Sequence, residues 1–154
     1  MKSINNYISE KLVINKNIGK KHYNYFPVAR KELQEIIKQR IKEEGNECDL
    51  NDIDVSKIND MSKLFKESEF NGDISNWDVS NVKDMSWMFY YSNFNGDISN
   101  WDVSNVDDMY CMFKGSKFNQ NISNWNVHNV EDMRSIFDIS SLEGKAKEWW
   151  GRTV

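Results

Sequence analysis

The sequence predicts an α/β solenoid, a stack of similar coils closed by a helix at each end. The phrase that begins at Phe70 returns at Phe94 and again at Phe118, so it repeats every 24 residues without insertion. Within each copy the apolar residues keep their places. Ile74, Trp77, Val79, Val82, Met85 and Phe89 recur as Ile98, Trp101, Val103, Val106, Met109 and Phe113, and again from Ile122 to Phe137. Upstream, Leu33, Ile36, Ile37 and Ile41 fall on one helical stripe. A coil of this size cannot bury its apolar face alone, so it stacks on neighbours, and the outermost coils need covers.

Residues 1–46 are expected to form an N-terminal cap, and residues 47–154 the solenoid with a C-terminal cap. In the cap, Lys11-Leu-Val-Ile-Asn and Tyr23-Asn-Tyr-Phe read as two short strands joined by a turn around Gly19, a hairpin. Pro27 holds Phe26 extended and ends this segment. From about Arg30 to Glu44 the spacing is helical, with Lys, Glu, Gln and Arg on the outer face and Gly45-Asn46 as the stop signal. The repeat begins in weaker form before Phe70: Leu50, Ile53, Val55, Ile58, Met61 and Phe65 fall in register with the core positions of the next copy. At the far end Trp149 takes the Trp125 position. Glu143 to Glu148 reads as a short helix, with a capping box from Ser140 to Glu143.

Inside each copy, Ile74, Trp77 and Val79 point to the core around a short strand, and Asn76, Asp78 and Ser80 point away from it. The following Val82, Met85, Met88 and Phe89 suit a short helix or 3₁₀ turn on the back. Ile74-x-x-Trp77-x-Val79 has the spacing of a leucine-rich-repeat strand. The longer phrase, Ile-Ser-Asn-Trp-Asp-Val-Ser-Asn-Val-x-Asp-Met-x-x-Met-Phe, resembles the BspA-like leucine-rich-repeat family of bacterial surface proteins over roughly residues 48–141. The resemblance implies a right-handed stack with one short parallel strand per coil, and a role in binding proteins or host surfaces without catalysis.

The tryptophan and methionine columns belong in the core at this spacing, and the Asn81, Asn105 and Asn129 column in turns. The outward columns have no such core role. The candidate partner-binding strip is Asp54, Asn76, Asp78, Asn100, Asp102, Asn124, Asn126 and His128. Stacked ~4.8 Å apart, Asp54, Asp78 and Asp102 form a row of like charges that favours a basic partner. Nothing in the sequence makes a catalytic constellation: His22 and His128 are far apart in register, and there is no phosphate loop or H-E-x-x-H motif. No metal or cofactor is expected. Cys48 and Cys111 fall on different faces and read as free thiols.

Residues 1–45 hold ten Lys or Arg against five Asp or Glu, whereas residues 46–154 hold ten against nineteen. The repeats are therefore acidic and the cap basic. The expected activity is non-catalytic binding of a protein that carries a basic patch, with a nucleic-acid enzyme as one such partner and no direct binding of nucleic acid. Two other settings fit the same features: a small phage or mobile-element inhibitor of the anti-CRISPR type, and a BspA-like surface adhesin. With Met1 as the native start the expected location is the cytoplasm; removal of a signal would place it at the surface or outside. No stretch is apolar and long enough to span a bilayer.

Overall fold

The computed structural model describes residues 22–154. The expected strand at 11–15, and with it the hairpin, lies outside the described residues. The Tyr23–Phe26 stretch forms no local partner among them. Instead it docks on the first coil: Tyr25 bridges Ile53 in parallel, Asn24 and Tyr25 donate to the Asp52 carbonyl, and Asp54 N–H donates to the Tyr25 carbonyl at 2.8 Å.

The expected leucine-rich-repeat-like α/β solenoid with a strand in every coil does not form. The described residues contain two helices, α1 (Arg30–Glu44) and α2 (Lys145–Trp150), and isolated parallel bridges in place of a sheet. Each coil is a run of reverse turns. In the coil that starts at Phe70, Trp77 N–H returns to the Ile74 carbonyl at 3.2 Å, and Val82 N–H to Val79 at 2.9 Å. Two turns thus close inside the stretch read as a strand. Side chains take others of its N–H groups: Asn51 Oδ1 accepts from Asn76, and Asp78 Oδ1 from Ser80. Short polar side chains that capture nearby backbone donors compete with a ladder, and here they win.

The backbone ladder runs on the other side of the coil, through the stretch read as a helix. Met85, Trp87, Phe89 and Tyr91 N–H groups donate to the carbonyls of Asp108, Tyr110, Met112 and Lys114 in the next coil, at 2.8–2.9 Å. The same rungs join Met61 through Glu67 to the coil below, and Met109 through Gly115 to the last one. To aim alternate N–H groups the same way, the chain enters the left-handed region at Trp87 (φ 60°) and Tyr91 (φ 48°). The equivalent Lys63, Glu67, Cys111, Gly115, Ser135 and Ile139 do likewise. For a side-chain-bearing residue this costs roughly 1–2 kcal/mol, and the rungs between coils offset it. Turns at this pitch copy the apolar spacing of a helix, which explains the misreading.

The core is a set of aromatic columns. Phe65, Phe89, Phe113 and Phe137 stack at 5.5–5.8 Å between ring centres, and Trp77, Trp101 and Trp125 at 6.4 Å. Each indole N–H donates to a carbonyl of the coil before it: Trp77 to Leu50, Trp101 to Ile74 and Trp125 to Ile98, at 2.9–3.2 Å. The tryptophans are therefore core residues that also give a second hydrogen bond to carbonyls already engaged in turns.

Helix α1 lies where expected and buries Leu33, Ile36 and Ile37. Glu32 reaches back to Val28 N–H at 2.9 Å to close its first turn, and Gly45 ends it at φ 90°. Arg40, expected on the solvated face, sits seven residues after Leu33 and is buried. Its guanidinium pairs with Glu44 and Asp52, donates to the Asp49 carbonyl, and lies 5.4 Å over the Tyr25 ring. Burial alone would lower its pKa, but the bonds to Glu44 and Asp52 more than compensate and keep the charge fixed. Helix α2 starts after Gly144 (φ 85°), so the Ser140 capping box does not form. Ser140 Oγ instead accepts from Leu142 N–H and donates to the Phe137 carbonyl within a turn. Trp149 and Trp150 lie 6.0 and 5.8 Å from the Phe137 ring and cover the last coil.

Candidate functional site

The coil register brings the eight strip positions onto one face. Asn81, Asn105 and Asn129 tie it together, their side-chain amides donating to the carbonyls of Ser56, Ser80 and Ser104 in the preceding coil at 2.6–2.8 Å. Asn76, Asp78, Asn100, Asp102, Asn124, Asn126 and His128 are exposed, and Asp54 is half-buried.

Most of these side chains already hold the backbone. Asp54, Asp78 and Asp102 each accept, through Oδ1, the N–H of the serine two residues on, at 3.0–3.1 Å. Asn126 does the same for His128, and the imidazole Nδ1 also lies 2.7 Å from its Oδ1. Asn124 donates to the Ser99 carbonyl at 2.9 Å. Such turns, in which Asp or Asn accepts a backbone N–H two residues ahead, explain why these residue types recur. The Ser104 hydroxyl and N–H hold the Asp102 carboxyl below the usual carboxylate range.

Two other corners repeat the device. Asp73, Asp97 and Asn121 accept from Ser75, Ser99 and Ser123. Asp60, Asp84, Asp108 and Asp132 accept from Ser62, Ser86, Tyr110 and Arg134. In the last column Asp108 is the exception: burial, with the neighbouring Asp84 and Asp132 charges, pushes its carboxyl up despite the Tyr110 bond.

A second surface carries Tyr90, Tyr91 and Tyr110, which the sequence offers as hot-spot contacts outside the strip. From coil to coil Asn59, Lys83, Asp107 and Glu131 differ, as do Glu69, Asn93, Lys117 and Ser141, and the first coil departs more widely. The three full coils nonetheless agree at most columns outside the ladder stretch and diverge most within it. There Ser62, Ser86, Tyr110 and Arg134 occupy one column, and Lys63, Trp87, Cys111 and Ser135 the next. Lys66, Tyr90, Lys114 and Asp138 differ likewise, as do Glu67, Tyr91, Gly115 and Ile139. The readable signal was this divergence within a single chain.

On that face Trp87 lies 4.7 Å from Tyr90 and 5.2 Å from Tyr110, and Tyr90 lies 4.7 Å from Tyr91. Lys66 sits over Trp87 and Tyr90, and Arg134 over Tyr110, each 5.4–5.7 Å from the ring centre. Tyr91 and Ile139, 46% and 65% exposed, are the prominent apolar side chains there. Arg134 is held by Asp132 at 2.6 Å, and Lys114 by Asp138 at 3.5 Å. Rings whose faces are covered by one another and by cations offer edges, hydroxyls and methyl groups, the chemistry of protein contacts.

Among the described residues no three His, Cys, Asp or Glu side chains converge to hold a metal, and no described helix is long and apolar enough to cross a membrane. Cys48 and Cys111 are both free and buried; burial pushes the Cys48 thiol up while Arg40 opposes it.

The chain belongs to the family described as Mycoplasma protein of unknown function, DUF285, a BspA-like repeat family, whose profile matches residues 31–149. The match takes in α1 as well as the coils. No curated protein and no solved structure matches the chain.

Proposed function

We propose that the chain is a non-catalytic protein-binding repeat module. The observation that carries this reading is the division between its columns. The columns that repeat are occupied by core packing, Asp and Asn turn acceptors and asparagine ties, all of which the architecture demands. The ladder columns, where the full coils diverge most, bring Trp87, Tyr90, Tyr91, Tyr110 and Ile139 together with Lys66 and Arg134 on one face. Aromatic residues and arginine are the side chains over-represented among binding hot spots. This face selects the partner. The strip of Asp54, Asp78 and Asp102, continued by Asn126 and His128, adds an acidic field that favours a partner with a basic patch, chiefly through the rate of encounter.

The test places a photo-crosslinking residue at position 139 of the full chain in its native host. A single protein adduct that disappears in the Tyr91→Ser, Trp87→Ser variant, with α-helical signal and melting temperature retained, is the expected result. An adduct indifferent to those changes, or found only from position 78, overturns the assignment of the face.

A further inference from the structure

We propose that the upstream edge of the first coil is a docking groove for an extended, acidic peptide segment of a partner protein, which adds one more rung to the backbone ladder. In the interior of the stack, the carbonyls of Ser86, Met88 and Tyr90 accept from Lys63, Phe65 and Glu67 of the coil before. The corresponding carbonyls of the first coil are those of Ser62, Leu64 and Lys66. Lys63 and Glu67 share the left-handed conformation of Trp87 and Tyr91 (φ 60° and 55° against 60° and 48°), so these carbonyls face upstream in the same way. The Ser62 carbonyl is taken by Arg30 Nη1 of α1 at 2.8 Å. Those of Leu64 and Lys66 accept no hydrogen bond among the described residues.

Beside this stretch, between it and α1, lies a groove of about 440 Å³. Ile37 and Ile41 of α1 and Phe65 supply its apolar floor, Lys38 and Lys63 bring two cations, and Lys66, paired with Glu67 and lying over the Trp87 and Tyr90 rings, borders it. The other side of the same coil already accepts such a rung, since Asn24 and Tyr25 pair with Asp52 and Asp54 there. Two acceptors one residue apart call for a ligand with donors at the same alternation, which an extended peptide backbone carries. The lysines call for carboxylates between the donors. A phosphate-rich strand would answer the charge but brings no donors at that spacing. Lys66 borders both surfaces, but Tyr91 and Ile139 do not line the groove, so variants at those two positions separate it from the face proposed above.

The experiment titrates the full chain with a fluorescein-labelled heptapeptide of alternating Glu and Val, followed by polarisation and by amide shifts in NMR. Saturable binding with shifts centred on 63–68 and on 37–41 is expected, and it persists in the Tyr91→Ser, Ile139→Ser variant. Lys38→Glu with Lys63→Glu, both at exposed positions, weakens binding about tenfold or more, and the Lys/Val counterpart peptide does not bind. Methylating alternate backbone nitrogens of the probe abolishes binding on one alternation. Equal binding by both N-methylated probes, shifts that map elsewhere, or no saturation overturns the proposal. So does a concentration-dependent dimer displaced by the peptide, which would give the edge to a second copy.

Discussion

The indole N–H of Trp101 reaches the carbonyl of Ile74, 27 residues earlier, at 3.1 Å inside the core. One side chain therefore fills a coil, stacks on its column and gives a second hydrogen bond to a carbonyl that already closes a turn with Trp77 N–H at 3.2 Å. Trp101→Phe keeps a ring in the column and removes the donor. The expected loss is about 0.5–1.5 kcal/mol, that of one hydrogen bond to a carbonyl that keeps its Trp77 N–H partner, measured by urea unfolding. Trp101→Leu should lose more because a cavity opens as well. Equal stability of Trp101→Phe and the parent would show that the bond contributes nothing.

The asparagine ties make a second prediction. Asn105 donates to the Ser80 carbonyl at 2.8 Å. Asn105→Ala should cost about 0.5–1.5 kcal/mol. Asn105→Asp should cost more, because a carboxylate would face the carbonyl with no hydrogen to offer. Amide exchange should quicken first in the two coils that the tie joins.

Charge on the strip and the turn it closes can be separated. Asp78→Asn with Asp102→Asn removes two charges and keeps an oxygen to accept from Ser80 and Ser104, as Asn126 does for His128. Partner association should slow and lose salt dependence, with little change in melting temperature. The corresponding pair of lysines cannot accept those N–H bonds, so it should lower the melting temperature as well. A slower on-rate in the lysine pair alone would argue against a role for the field.

The acidic corners set the response to pH. Asp102, Asp73, Asp97 and Asp132 all have carboxyl pKa values lowered by hydrogen bonds, from Ser104, Ser75, Ser99 and Arg134 respectively. A group whose folded pKa lies below its unfolded value of ~3.9 adds stability above that pH and loses it as pH falls through the folded value. Acid should therefore unfold the stack below about pH 4. Asp108, raised by burial and its acidic neighbours, has the opposite sign: its contribution is present when protonated and is lost as pH rises. Asp108→Asn should accordingly leave neutral stability unchanged or higher, whereas Asp102→Asn, which keeps the turn acceptor, lowers it only slightly.

Gly115 tests the divergent face without touching an aromatic residue. A Cβ there would come 2.7 Å from the Tyr91 ring, and the backbone sits at φ 66°. Gly115→Ala should displace Tyr91 and shift its ring signals in NMR. The strain should cost about 1–2 kcal/mol, and crosslinking from position 139 should fall. Unmoved Tyr91 signals would refute the packing.

The sequence revealed α1 in full because Leu33, Ile36, Ile37 and Ile41 obey a helical period that nothing else in the segment contradicts. The core columns were legible for the same reason. The coil path was not. Trp77 and Val79 alternate as strand residues do, yet they flank two closed turns. The helical spacing of Val82, Met85 and Phe89 belongs to a ladder that uses left-handed residues, and no glycine announces them at Trp87 or Tyr91. Arg40 was hidden by its charge, since only its partners, the exposed Glu44 and half-buried Asp52, explain a guanidinium in the seam. Seven of the eight strip residues are exposed and Asp54 is half-buried. Their part in closing turns depends on which N–H each oxygen meets, a matter of path rather than composition.

Each coil touches its neighbours alone, through rungs, ties and stacked rings that are the same at every interior junction. Length is therefore a free variable of this design. A further copy of residues 94–117 spliced between two coils would meet complementary surfaces on both sides, and neither α1 nor α2 would register the insertion. The groove beside α1 and the crest at Ile139 would simply move apart by one step of ~4.8 Å. Two contact points on one rigid body can in this way be set to the span of a target, like the jaws of a calliper, by adding or deleting whole copies and without redesigning either jaw.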